Sequence, residues 1–511
     1  MSPNTAATEY KGLRKALITA TLCTGPVMQV LDSSAVAVAL NHMQGSLSAA
    51  QDQMAWVLTS YLIAVAVATP FWGAMTEKFS RKMLFNFSIA MFSVTSFFCG
   101  TANGLTELLI FRAIQGVFGA ALIPLSQAAL MDIYDPKDYG IAMGWWGVGL
   151  MFGPVFGPTI GGYVVEWYSW RWTFFINVPL GLASFLAVWM LVPRTSARRR
   201  RKFNYYGYIV LAIGLGCLQF VLDRGQRYDW LESTAIITLL CVAGASFWLF
   251  IVNSITSENP FIDPVILKNP NFAIGLLLRA MFGLLLFGAI ILIPPFLQKI
   301  AGYPVVDAGL MMAPRGLATM ASAMIVGRLV RLVDPRLIII CGAAMAGISS
   351  WEMSMLPADA PTWDILQWIL IQGVGTACFF IPLNSLAFST MGPDQRDQGT
   401  SFFALTGNIG RSIGIAILSS YLVYGSQVNK SHLVEFATPY NDVVRHVPNP
   451  DAWSFHTITG LAQLNAEVVH QAETIAYAMD FQLLAALMFG CIPLVMLMRV
   501  APKKKKVPQP A

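Results

Sequence analysis

The sequence predicts an all-α polytopic membrane protein with fourteen transmembrane helices in a 6+2+6 arrangement. Of 511 residues, 56% are hydrophobic and only 12% charged, which is too little polar surface for a soluble globular chain or a nucleic-acid binder. Charged or Pro/Asn-rich breaks divide the chain into fourteen apolar runs of about 20 residues, the length that crosses a bilayer core. The basic residues are distributed over the intervening loops as an alternating topology requires.

The first six runs extend from Leu13 to Leu40, Gln53 to Met75, Met83 to Thr101, Leu105 to Met131, Tyr139 to Val165 and Trp172 to Val192. Two more lie at Tyr206 to Leu222 and Ser233 to Asn253. The last six are Phe272 to Leu297, Val305 to Leu332, Leu337 to Met355, Ile365 to Phe388, Gly399 to Ser426 and Tyr477 to Met498. The first run is long enough to span and lacks a small-residue cleavage site, so it reads as a helix and not as a cleaved signal.

With the N-terminus inside, about 23 of the 33 Lys and Arg fall on the inner side, about 6 outside and about 4 within runs. Both termini are therefore expected in the cytoplasm. The inner clusters are Lys78/Arg81/Lys82, Arg198 to Lys202, Arg328/Arg331/Arg336 and the tail Lys503 to Lys506, each charge gaining about 1 kcal/mol on anionic lipid. The tail resembles a nuclear-import signal only superficially; after fourteen spans it reads as a lipid-facing anchor.

Several chemistries are excluded. No Gly-Lys dipeptide occurs, hence no phosphate-cradling loop for ATP. The five histidines all fall in outer loops, and the seven cysteines are scattered singly without metal-type spacing. The expectation is a non-enzyme without cofactor, powered by the proton gradient.

Weak internal symmetry supports a transporter. Gly73-x-Met75-x-Glu77-Lys78-x-Ser80-Arg81-Lys82 after the second run is similar to Gly327-x-Leu329-x-Arg331 through Arg336, and Gln115-Gly116-Val117 is similar to Gln372-Gly373-Val374. The offsets, 327 − 73 = 254 and 372 − 115 = 257, suggest one six-span unit used twice. The expected division is residues 1–195 as a first bundle, 196–260 as two inserted helices, and 261–511 as a second bundle with an outer loop at 427–476. In the fifth run Gly149, Gly153, Gly157 and Gly161 recur every fourth residue, followed by Gly162, with Pro154 and Pro158 beside them. Glycines at that spacing form a bare ridge for a neighbouring helix, and each proline removes an amide donor.

On these residues the chain resembles the major facilitator superfamily, in its fourteen-span drug:proton antiporter group. Gly73 to Lys82 resembles the superfamily's signature loop, Arg112-x-x-Gln115-Gly116 its fourth-helix motif, and Gly153 to Gly162 the fifth-helix motif of exporters. Leu31-Asp32-Ser33-Ser34 through Leu40 is similar to the group's first-helix signature. Trp170-Arg171-Trp172, Phe175 to Gly181, Leu222 to Gly225 and Asp229-Trp230 resemble the EmrB-type branch. Ser80 stands where the loop usually has glycine, Glu77 where it has aspartate, and Asn41 where the first-helix motif ends in proline. The resemblance implies gating roles for Gly73, Glu77, Arg81, Lys82, Gly153, Pro154, Gly157, Pro158, Gly161 and Gly162; Ser80 is expected to stiffen its turn.

Charges inside a membrane are expensive and mark function. Asp32 is expected to be the only deep acid, about 12 Å below the outer end of its helix, with Arg112 at matching depth on the fourth. In the resembled fold both helices line the central cavity, so the two are expected to pair directly or through water and to couple protons. Burial favours the protonated acid and a neighbouring cation favours the anion, so a moving arginine or arriving substrate switches Asp32. A fixed structural pair is the alternative.

Arg279, Arg315 and Arg411 are the other buried cations; Arg411 is expected on a water-filled path, the other two there or snorkelling. An interior rich in arginine suits neutral, zwitterionic or weakly acidic amphiphiles. Expected cavity liners, besides Asp32 and Arg411, are Tyr61, Gln115, Gln298, Gln372, Asn384 and Asn408, with Phe379, Phe380 and Trp145/Trp146 as an aromatic surface. In the loop before the last run, Ile458, Leu461, Leu464, Val468, Ala472 and Ile475 share a helical face, which suggests an extension of the last helix or a helix lying on the membrane.

The expected function is proton-driven export of hydrophobic or amphipathic compounds by alternating access in a bacterial inner membrane. A periplasmic adaptor and an outer-membrane channel are partners implied by the resemblance alone. The competing readings are a proton symporter or uniporter for a metabolite, and a membrane-embedded sensor or enzyme.

Overall fold

A computed structural model describes residues 12–135, 138–193, 203–357, 359–392, 395–438, 440–441 and 457–499. Fourteen helices among them are long and apolar enough to cross a membrane. They are α1 (Gly12–Ser46), α2 (Trp56–Met75), α3 (Arg81–Thr101), α4 (Leu105–Ile133), α5 (Tyr139–Trp167), α6 (Asn177–Leu191, entered through the turn Trp172–Phe175), α7 (Tyr205–Arg224), α8 (Thr234–Thr256), α9 (Pro270–Lys299), α10 (Val305–Leu329), α11 (Pro335–Met353), α12 (Thr362–Ser389), α13 (Arg396–Phe436) and α14 (Ile458–Met496). The described residues contain no strand. The tail lysines and the Arg198 to Lys202 cluster lie outside the described residues.

The same neighbour pattern occurs twice. Pairings α1 with α5, α2 with α4, α3 with α4 and α3 with α6 recur eight helices later as α9 with α13, α10 with α12, α11 with α12 and α11 with α14. The two Gln-Gly-Val segments explain one recurrence: a methyl on Gly116 would stand 2.7 Å from the carbonyl oxygen of Tyr61, and one on Gly373 2.4 Å from that of Arg315. Only glycine lets these backbones approach so closely. The first and last six helices meet through α5 on α10 and α2 on α13, while α7 pairs with α8 and lies against α2 and α13.

The glycine ridge seats α1. Methyls on Gly149, Gly153, Gly157 and Gly161 would come within 2.5–3.1 Å of Cys23, Val30, Ser34 and Ala35, all on α1. Gly162 is different, since a methyl there would meet only Val38 at 3.9 Å. The helix is continuous through Pro154 and Pro158.

The segment 427–476 differs from a plain loop, because α13 continues to Phe436 and α14 begins at Ile458. At 1.5 Å per residue these helices of 41 and 39 residues are each about 60 Å long, twice the hydrocarbon core, so they extend beyond it. They pair along this extension, with Gly425 against Ala476 and Asn429 donating to the sulfur of Met479. Of the expected apolar face, Leu464 and Ala472 are buried, whereas Ile458, Leu461 and Ile475 are exposed.

Candidate proton-coupling site

Asp32 lies on α1 between residues held by the ridge, and two helices direct three donors at it. Its Oδ2 accepts from Arg112 Nη1 of α4 at 2.7 Å; its Oδ1 accepts from Gln115 Nε2 at 3.1 Å and from Asn177 Nδ2 of α6 at 2.8 Å. Arg112 Nη1 also donates to Gln115 Oε1 at 2.7 Å, and its Nε to the carbonyl of Val57 at 3.3 Å. The Tyr61 ring lies 4.3 Å from the guanidinium carbon. Asn177 also donates to the Ser96 hydroxyl at 3.1 Å, which donates to the Phe174 carbonyl at 2.9 Å.

Asp32, Arg112, Gln115 and Asn177 have no exposed surface. The pairing of Asp32 with Arg112 is thus direct. In the described state Asp32, Tyr61 and Gln115 are buried, with α1 seated on α5 by the glycine ridge. Asn177 was missed, although its signal was present as an amide two residues before Pro179 in an otherwise apolar run.

A second acid corrects the expectation that Asp32 stands alone. Asp480 on α14 is fully buried, and neither carboxylate oxygen has a hydrogen-bond partner. The sequence reading put it near a span end, but α14 starts 22 residues earlier, at Ile458, and packs this position against α9, α11 and α13.

The other expected cavity liners divide. Phe379 and Phe380 are core residues, stacked on Phe282 at 5.7 and 4.7 Å, with Trp146 on Phe380 at 6.0 Å; Trp145 is 44% exposed. Asn384 is a bridge, accepting from Gln127 of α4 at 2.9 Å. Gln372 borders a cavity with Arg315. Gln298 and Asn408 are half-buried, and no hydrogen bond among the described residues joins either side chain to the Asp32 cluster. Arg279 lies over the rings of Phe380, Phe403 and Phe282 at 5.0–5.8 Å, and Arg411 over Phe287 at 4.9 Å.

The signature-loop residues gather at the end of the bundle that carries the Lys78/Arg81/Lys82 cluster. Arg81 pairs with Asp132 of α4, whose other oxygen lies 3.6 Å from Arg396 of α13. Glu77 accepts from Gln398 at 2.7 Å, Arg331 pairs with Asp138 at 2.8 Å, and Lys82 donates to the Trp189 carbonyl at 2.7 Å. Gly73 accepts through its carbonyl from Thr76 at 2.6 Å. Gly140 and Gly327 press α5 and α10 together here, a methyl on either meeting the other's carbonyl at 2.7 Å. This end is therefore closed. Ser80 caps α3, accepting from the Met83 amide at 3.3 Å, which gives serine a use where the resembled loop has glycine. The end of α7 and the turn after it form a clamp: Asp223 accepts from Thr59 of α2, Gln219 bonds Ser412 at 2.8 Å, and Trp230 packs on Gly225 while donating to Ser420 at 3.0 Å.

The family model described as Major Facilitator Superfamily matches residues 22–415. The chain is 34% identical over 433 residues to the multidrug export protein EmrB of Escherichia coli (strain K12), covering 84% of this chain and 85% of that one. It is 32% identical to the probable multidrug resistance protein EmrY of the same strain, covering 92% of each, and 32% identical to the fatty acid resistance protein FarB of Neisseria gonorrhoeae, covering 84% and 85%. Among solved structures it is similar in fold to the proton:xylose symporter XylE, with a TM-score of 0.58 at 12% identity over 95% of this chain and 97% of that one. From the repeated helix pattern, the signature loop and these matches, the chain belongs to the major facilitator superfamily, among the relatives of the EmrB multidrug export proteins.

Proposed function

We propose that this protein exports hydrophobic or amphipathic compounds from the cytoplasm in exchange for protons, by alternating access of the first six helices against the last six. The observation that carries the reading is the Asp32–Arg112 pair, sealed between helices that the exporter-type glycine ridge holds together. In the state described, three donors engage the Asp32 carboxylate, out of contact with water. When the outer end opens, α1 moves against the ridge, Arg112 withdraws, and outside water delivers a proton to Asp32. Neutral Asp32 weakens the α1–α4 tie, and once the cytoplasmic gate opens Arg112 returns to Asp32 and that proton leaves to the cytoplasm.

The energy suffices: one proton descending 100 mV yields about 2.3 kcal/mol, roughly a fiftyfold substrate gradient, and no cofactor is required. The basic loops face the cytoplasm of a bacterial inner membrane, with both termini on that side, so the closed end is the cytoplasmic gate. The paired extension of α13 and α14 then projects outward, towards a periplasmic adaptor and an outer-membrane channel. The test is Asp32→Asn in proteoliposomes with an imposed proton gradient and a fluorescent amphiphile. Counterflow of substrate and protons should be lost while insertion and substrate binding persist. Proton-driven efflux that survives the substitution refutes Asp32 as the carrier, and substrate moving in the same direction as protons refutes export.

A further inference from the structure

The repeated helix pattern places a second polar pocket in the last six helices where the Asp32 cluster lies in the first. A cavity there is bordered by Arg315 of α10, Ser350 of α11, Gln372 and Thr376 of α12, and Leu286 of α9. Arg315 stands 254 positions after Tyr61, Ser350 254 after Ser96, and Gln372 257 after Gln115, the offsets that relate the two signature loops and the two Gln-Gly-Val segments. Packing confirms the correspondence, since Gly116 backs onto the Tyr61 carbonyl as Gly373 backs onto that of Arg315. By the same offset the counterpart of Asp32 is Leu286. The pocket therefore keeps the polar walls of the first site and a cation, but a leucine stands where the first site has its carboxylate.

Arg315 is only 6% exposed. Among the described residues no carboxylate lies within ion-pair distance of it, and no group accepts a hydrogen bond from its guanidinium. Arg112 has Asp32 as its counter-charge, whereas Arg279 and Arg411 are only half-buried and lie over aromatic rings. Gln372, 4% exposed, has an unpartnered Oε1 and only a long bond of 3.4 Å from Nε2 to Ser350. A half-turn of that amide presents Nε2 to the cavity beside Arg315. A guanidinium buried in low dielectric needs a counter-charge, and a water molecule supplies none. The cavity has room for about one water-sized body, which excludes a substrate carboxylate; a halide, slightly larger than water, enters as the Gln372 amide turns towards it.

We propose that the pocket binds one chloride-sized halide between the Arg315 guanidinium and the Gln372 amide, supplying the negative charge that Asp32 provides in the first six helices. The halide is a fixed counter-charge, whereas the Asp32 carboxylate can be neutralised by a proton. This assignment stands independently of the direction of transport.

The test is thermal unfolding of the full-length protein in lipid nanodiscs, titrated with sodium chloride against sodium gluconate at constant ionic strength. Chloride should raise the midpoint by several degrees and saturate, as ligand linkage requires. Arg315→Gln should abolish the response and Arg279→Gln should keep it. Leu286→Asp, which installs a carboxylate at the position corresponding to Asp32, should raise the midpoint in gluconate and abolish the chloride response; it decides the matter if Arg315→Gln does not fold. Identical midpoints in chloride and gluconate overturn the proposal in favour of water. A chloride response that persists in Arg315→Gln or Leu286→Asp overturns it in favour of a site elsewhere.

Discussion

Substituting Gly153 by alanine tests whether the ridge on α5 positions the proton site. The new methyl would lie 2.6 Å from the carbonyl carbon of Val30 and 2.7 Å from the amide nitrogen of Leu31, against ordinary contacts of 3.4–4 Å. Both obstacles are backbone, so no side-chain rotation relieves them. Helix α1 must withdraw by about 1 Å, at an overpacking cost of about 1–3 kcal/mol. Asp32 is the next residue along, and its 2.7 Å bond to Arg112 and 2.8 Å bond from Asn177 are stretched or re-aimed by such a shift. Charge-assisted bonds of this kind contribute about 1.5–3 kcal/mol each, so losing one lowers proton-driven efflux by about tenfold or more. The control is Gly162→Ala in the same motif, whose methyl meets only Val38 at 3.9 Å and should leave transport unchanged. Efflux of a fluorescent amphiphile from energised vesicles, normalised to the amount of folded protein, separates the two. Equal efflux by Gly153→Ala and Gly162→Ala refutes the reasoning.

Two further outcomes follow from named contacts. Arg112→Gln leaves the Asp32 carboxylate buried without its cation, which costs about 3–5 kcal/mol, and Asp32→Asn does the reverse. The double substitution should unfold nearer the parent temperature than either single variant while remaining inactive in transport; strictly additive losses would show that the two residues do not act as a pair. At the closed end, Asp132→Asn removes the carboxylate shared by Arg81 and Arg396 and shifts the equilibrium toward opening by about 1.5–3 kcal/mol. Spin labels on α4 and α13 should report a larger population of long distances, and an unchanged distribution would remove Asp132 from the gate.

Much of the fold was legible in the sequence because a bilayer leaves a chain few choices. Backbone groups in lipid must be satisfied within helices, so fourteen apolar runs become fourteen helices whatever their neighbours. Intramembrane charge is costly enough that Asp32 and Arg112 stood out before any coordinates, and glycines at a four-residue spacing announced a close helix contact. The sequence did not say which helix the ridge would hold, since glycine permits approach without selecting a partner; tertiary packing chose α1 and so sealed Asp32. Asn177 joined the site because α4 and α6 converge on α1, a relation between residues 145 positions apart that no local pattern encodes. Asn384 and Phe380 have the composition of cavity walls, yet their neighbours made one a bridge to Gln127 and the other part of an aromatic stack. Asp480 was misjudged because polarity marks where a membrane run ends but not where its helix ends, and α14 continues 19 residues beyond the apolar run that began at Tyr477. Helix existence and residue cost are local properties set by the solvent, whereas partners, burial and the pairing of charges are decided only when the helices pack.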